Sequence, residues 1–223
     1  MARQARSWAG AGGLSWIGVC VASRSHDELR LRFVGGLMWW ALVWRMLDWH
    51  LAMAEGGDGQ PRERLAAADA VTLARFWLVP AVLGASRSRR GLPLLILLGG
   101  ASDFLDGRLA RASGRTRLGR DMDTTADLAF VTTGSISAHR RGGLTRLALV
   151  AVAVRHSVGV GVALVAVFGR ARRPAIRARP WGALLRTGGL VACSAGARRS
   201  GSALVLVGCC VPPRSTAAHL SPA

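Results

Sequence analysis

Four aspartates, Asp103, Asp106, Asp123 and Asp127, stand close together in a chain otherwise poor in acid. Of twelve acidic residues, five fall between Asp103 and Asp127 and none follows Asp127. Asp103 and Asp106 lie three positions apart and Asp123 and Asp127 four, so each pair shares one face of a helix. An apolar run leads into the first pair and another leaves the second, which brings both pairs to the same side of an apolar layer. Carboxylates gathered in this way present hard oxygen atoms, and the chemistry that suits them is the holding of divalent cations near a membrane surface. Asp121 is extra to the two pairs and reads as a solvated residue at a helix start, favourable to the helix dipole.

The elements that must position these residues read as membrane helices. The chain has 223 residues, 51% of them apolar, and a positive mean hydropathy, which suits short spans joined by charged loops. All thirty basic residues are arginine and the formal charge is +18. The arginines sit between apolar runs, where anionic lipid headgroups would meet them. No groove-reading motif and no regular basic helix is present, so nucleic acid is not expected as a partner. Cys20, Cys193, Cys209 and Cys210 show neither zinc-site spacing nor a disulfide framework, and they read as reduced apolar residues.

In chain order, residues 1–36 read as a poorly defined N-terminal extension. Their apolar run, Leu14 to Ala22, is interrupted by Ser15 and Gly18 and is not taken as a signal peptide. Residues 37–64 comprise a helix from about Leu37 to Ala54 and a Gly/Pro linker, GGDGQPRER. Trp39, Trp40, Trp44 and Trp49 mix there with Arg45, Asp48 and His50, which suits an amphipathic helix in the headgroup layer; a helix packing on its own domain is the other reading. Residues 65–211 hold six expected spans, at about 65–86, 92–112, 121–138, 144–168, 181–197 and 201–211, and residues 212–223 form a tail. Arg75 lies inside the first span and should face a protein interior or polar cavity, and Pro80 should kink it. Arg155 and His156 sit in the middle of the fourth span, as either a pocket for an anionic acceptor or a packed polar pair. The expected fold is therefore all-α, a polytopic membrane protein of six transmembrane helices with an N-terminal interfacial amphipathic helix.

The pattern Asp103-x-x-Asp106-Gly107-x-x-Ala110-Arg111, then seven residues, then Gly119-x-x-x-Asp123-x-x-x-Asp127 resembles the signature of the CDP-alcohol phosphatidyltransferases at all eight defined positions. Ala70-Val71-Thr72-Leu73-x-Arg75, with Pro80 beyond it, is similar to that family's first-span pattern, with Asp69 where Asn is usual. The resemblance implies a membrane enzyme of phospholipid biosynthesis that moves a phosphatidyl-type group from a CDP-linked donor, CDP-diacylglycerol, to an alcohol acceptor and releases CMP. It also implies two divalent ions, magnesium or manganese, with Asp103, Asp106 and Asp123 about one and Asp103, Asp123 and Asp127 about the other. Asp127 would be the catalytic base, and Gly107, Arg111, Thr116 and Thr72 would contact the donor nucleotide. A homodimer is usual in such a family. Arginine counts place the Asp-rich loop inside, so the expected site faces the cytoplasm from a multi-pass protein of the plasma membrane. Two other readings exist: a catalytically silent protein that keeps the fold, which intact Asp127 argues against, and a prenyl transferase with Asp-rich motifs, which Gly107, Ala110, Arg111 and Gly119 argue against.

Overall fold

The computed structural model describes residues 2–22, 26–50, 67–85, 88–113, 117–168, 175–177, 180–212 and 214–216. Among them are eight helices: α1 (Ala2–Ala22), α2 (His26–His50), α3 (Ala67–Gly84), α4 (Gly91–Ser113), α5 (Arg117–Arg140), α6 (Arg146–Phe168), α7 (Pro180–Ser194) and α8 (Arg198–Cys210). Two three-residue strands, β1 (Ala175–Arg177) and β2 (Arg214–Thr216), pair antiparallel with Ile176 opposite Ser215. The fold is thus helical apart from that short ribbon. Helices α3 to α8 lie where six spans were expected. Among the described residues one helix of the six, α3, is long and apolar enough to cross a membrane by length and composition. Helices α7 and α8 have 15 and 13 residues, about 22 Å and 20 Å at 1.5 Å per residue, against a hydrocarbon layer of about 30 Å.

Two compact units divide the chain, Met1–Ala85 with Leu98–Thr133 and Ser86–Leu97 with Gly134–Ala223. In the first, residues 2–22, read from sequence as a poorly defined extension, form α1 and pack on α2. Ala9, Trp16 and Cys20 of α1 and Trp40, Val43 and Leu47 of α2 recur at intervals of one or two helical turns and are buried. They join Leu73 and Phe76 of α3 and Met122 and Ala126 of α5 in one apolar core. The two N-terminal helices interlock reciprocally. A Cβ at Gly12 would overlap the Trp40 ring, and a Cβ at Gly36 would overlap the Trp16 ring, so each helix uses a glycine to admit its partner's indole. This large-into-small fit, invisible to a hydropathy reading, is why a Gly/Ala-rich segment makes a packed helix.

Helix α2 begins at His26, earlier than the sequence suggested, and residues 51–54 with the linker at 56–64 lie outside the described residues. Its inner face packs on the same unit, with the Trp39 Nε1 donating to the Phe76 carbonyl at 3.0 Å. Its outer face leaves Val34, Met38, Leu42, Trp44 and Trp49 exposed, and the Arg45 guanidinium lies 4.9 Å from the Trp49 ring centroid.

The second unit buries Leu92 and Ile96 of α4, Ala138 of α5, Ala148 and Val152 of α6, Leu190 of α7 and Val205 of α8. Helices α7 and α8 form a hairpin turned at Gly196, whose φ of 108° is open to glycine and strained for other residues. The hairpin closes backbone to backbone: a Cβ on Gly189 would come within 2.7 Å of the Gly201 carbonyl oxygen, and one on Gly208 within 2.8 Å of the Arg186 nitrogen. Small residues at such a seam are the usual means of packing helices where apolar burial gives no driving force.

Candidate metal and active site

Helices α3, α4 and α5 bring their polar residues together in the first unit. Packing sets the approach of α4 to α5. A Cβ at Gly99 would overlap the Phe130 ring, so that glycine lets the two helices meet closely. Asp103 follows Gly99 by one turn and Asp127 precedes Phe130 by one turn, so the close contact lies directly below the carboxylates. Carboxylate oxygens of Asp103, Asp123 and Asp127, one from each, lie within 4.8 Å of one another.

A cation from α3 sits at their centre. Arg75 is wholly buried, while the Asp103, Asp123 and Asp127 side chains are 38%, 37% and 48% exposed. Its Nη1 lies 3.4 Å from Asp103 Oδ1 and donates to Asp123 Oδ1 at 3.1 Å and to Asp127 Oδ1. Its Nε donates to Ser102 Oγ at 3.3 Å, and that hydroxyl donates to the Gly99 carbonyl at 2.7 Å. Magnitudes explain the arrangement. Two carboxylates 4.8 Å apart repel by about 3 kcal/mol at an effective dielectric near 20. A guanidinium and a carboxylate at 3.1 Å attract by about 5 kcal/mol on the same scale, and solvent at these half-exposed groups lowers both figures. The triad is tolerable because a cation lies among its members.

The donor set fits hard divalent ions. Every candidate ligand in the triad is a carboxylate oxygen, and the nitrogen beside them is that of the Arg75 guanidinium, which donates hydrogen bonds and has no lone pair for a metal.

The family model of the CDP-alcohol phosphatidyltransferases matches residues 65–211. The chain belongs to that family. CDP-alcohol phosphatidyltransferases are membrane-associated phosphotransferases of phospholipid biosynthesis and typically depend on divalent metal. No curated protein and no solved structure gives a significant match to the chain. The matched residues begin just before α3 and end just after α8, so the α1–α2 hairpin lies outside the family region.

The structure thus gathers Asp103, Asp123 and Asp127 of the residues singled out by sequence. Asp106 and Arg111 lie on α4 beyond Asp103, with Gly107, half-buried, between them. Thr116 lies outside the described residues. Thr72 is buried on α3 one turn before Arg75, and its Oγ1 donates back to the Ala68 carbonyl at 3.2 Å. Arg155 and His156 belong to the second unit. The Arg155 Nη1 donates to the Cys209 and Val211 carbonyls at 2.9 Å and 3.1 Å, which satisfies the C-terminal end of α8. Such bonds are compatible with the packed reading of Arg155. Arg186 does the same at 3.0 Å for the Gly208 carbonyl.

Sequence reasoning turned Arg75 toward a protein interior or a polar cavity, and its burial agrees with that. It missed that the polar interior is the carboxylate triad itself. A signal was available, since a carboxylate is one of the partners that can satisfy an arginine inside an apolar helix, and after Asp69 the chain offers acids only between Asp103 and Asp127.

Proposed function

We propose that this chain is an integral membrane phosphotransferase that transfers a phosphatidyl-type group from CDP-diacylglycerol to an alcohol acceptor and releases CMP. The observation that carries the proposal is the convergence of Asp103, Asp123 and Asp127, supplied by α4 and α5 at the spacing of the family signature. In this reading Asp103, Asp106 and Asp123 hold one divalent ion and Asp103, Asp123 and Asp127 a second, magnesium or manganese. Bound there, the ions would neutralise charge on the pyrophosphate oxygens and on the departing phosphate.

The chain's own residues do the rest. The Asp127 carboxylate accepts the proton of the acceptor hydroxyl, whose oxygen then forms a bond to the β-phosphorus of the donor. The bond from that phosphorus to the bridging oxygen breaks, and CMP leaves with the electron pair. Gly107 gives the nucleotide room against α4, Arg111 pairs with its phosphates, and Thr72 and Thr116 contribute nucleotide contacts. Arg155 and His156 are either a pocket for an anionic acceptor or a packed polar pair, and the two main-chain carbonyls on the Arg155 Nη1 support packing for Arg155.

Helices α3 to α8 form six spans of a multi-pass plasma-membrane protein in this reading, with the carboxylates toward the cytoplasm, α2 at the headgroup layer and a homodimer as the working form. The test is CMP release by the purified protein from CDP-diacylglycerol with magnesium, across a panel of acceptors: glycerol 3-phosphate, inositol phosphate, serine and phosphatidylglycerol. Release with one acceptor well above the others supports the reading and names the substrate. Absence of release with every acceptor and every CDP-lipid tried would remove it.

A further inference from the structure

We infer that Arg75 is a built-in counter-cation of the active site: its guanidinium holds Asp103, Asp123 and Asp127 together in the metal-free protein and competes with divalent ions for the same carboxylates. The inference rests on the proposed function only in taking those carboxylates as metal ligands. Its own support is geometric. One nitrogen, Nη1, lies within 3.4 Å of Oδ1 of Asp103 and closer still to Oδ1 of Asp123 and of Asp127. It therefore occupies the point toward which a bound cation would be drawn by the same three groups.

The arginine is fixed rather than adaptable there. It is wholly buried, it stays protonated at any relevant pH, and its Nε is anchored to Ser102, which is in turn tied to the backbone of α4 at Gly99. A wholly buried guanidinium is costly without anions, and three converging carboxylates, half-exposed as they are, gain from a cation among them. Each half therefore explains the other before any ion arrives. An ion entering the triad must either take oxygens that Arg75 now engages or sit close to a like charge. Both weaken metal binding, and the compensation is a site that stays assembled while the metal is away. Arg75 is in this sense a positioning residue that acts through the carboxylates and need not touch substrate.

The test uses the full chain in detergent with Mn2+ alone as the probe. Free Mn2+ is measured by electron paramagnetic resonance during titration, and thermal unfolding is followed in EDTA and in saturating Mn2+. For Arg75→Met the midpoint in EDTA should fall, saturating Mn2+ should recover most of the loss, and Mn2+ should bind more tightly by on the order of tenfold. Arg75→Lys, which keeps the charge, should bind Mn2+ within about threefold of the parent, well short of that change.

Unchanged or weaker Mn2+ affinity in Arg75→Met overturns the competition. If Arg75→Met fails to fold, the double variant Arg75→Met with Asp127→Asn decides, because removing one charge of each sign should restore folding in EDTA. A double variant that also fails to fold, or losses that simply add, overturns the pairing. Parent protein that binds no Mn2+ at all removes the metal reading instead, a result distinct from a parent that binds and a variant that binds equally.

Discussion

Arg75 and Arg155, each inside an apolar helix, are satisfied in opposite ways. Arg75 of α3 is wholly buried and meets three carboxylates that are themselves half-exposed. Arg155 of α6 is half-buried and meets main-chain carbonyls at the end of α8. In the first unit charge answers charge at an open surface, which leaves a polar group able to exchange partners. In the second a charge answers helix-end dipoles, which stops a short helix from fraying. An embedded arginine is therefore read by its partner: carboxylates mark a place for chemistry, and carbonyls mark a joint in the fold.

The largest effect should come from the carboxylate side of the comparison. Removing divalent ions with EDTA should take CMP release to background, and restoring Mg2+ should return it, whereas the unfolding midpoint should move little if Arg75 holds the triad alone. Next comes the contact that sets the spacing of α4 and α5. Gly99→Leu should force the Phe130 ring aside and misplace the carboxylates, lowering CMP release on the order of a hundredfold, as measured by initial rates at saturating donor.

In the second unit the expected effects are on stability. Gly201→Val would press a branched side chain onto the Cys193 backbone and should cost about 3 kcal/mol of stability, checked by chemical denaturation in detergent. Smaller still, Arg155→Met should cost about 1 kcal/mol through the unpaired carbonyls of Cys209 and Val211, and it should leave the acceptor KM unchanged. A rise in that KM with unchanged stability would make Arg155 an acceptor contact and collapse the contrast with Arg75.

The sequence was informative where a pattern is local. Helices α3 to α8 follow from apolar runs broken by arginine and glycine, and the two aspartate pairs follow from i, i+3 and i, i+4 spacing on a helix face. What stayed hidden depends on pairs distant in the chain. Arg75 precedes Asp103 by more than a full helix, and no periodicity links them. The Trp16 and Gly36, Trp40 and Gly12 interlocks need the shape of one helix to be known before the other's glycine has meaning. Residues 2–22 read as poorly defined because Ser15 and Gly18 interrupt a brief apolar run, yet the smallness of Gly12 is what admits the Trp40 ring.

The central claim is that Asp127 acts in the chemistry while its neighbour Asp121, outside the two spaced pairs, does not. It is tested by measuring CMP release from CDP-diacylglycerol with Asp127→Asn and Asp121→Asn side by side in the same membranes. CMP release by Asp127→Asn should fall by about a hundredfold or more, in keeping with loss of a general base, and that by Asp121→Asn should stay within about twofold of the parent. Equal rates for the two variants, whether both high or both lost, would contradict it.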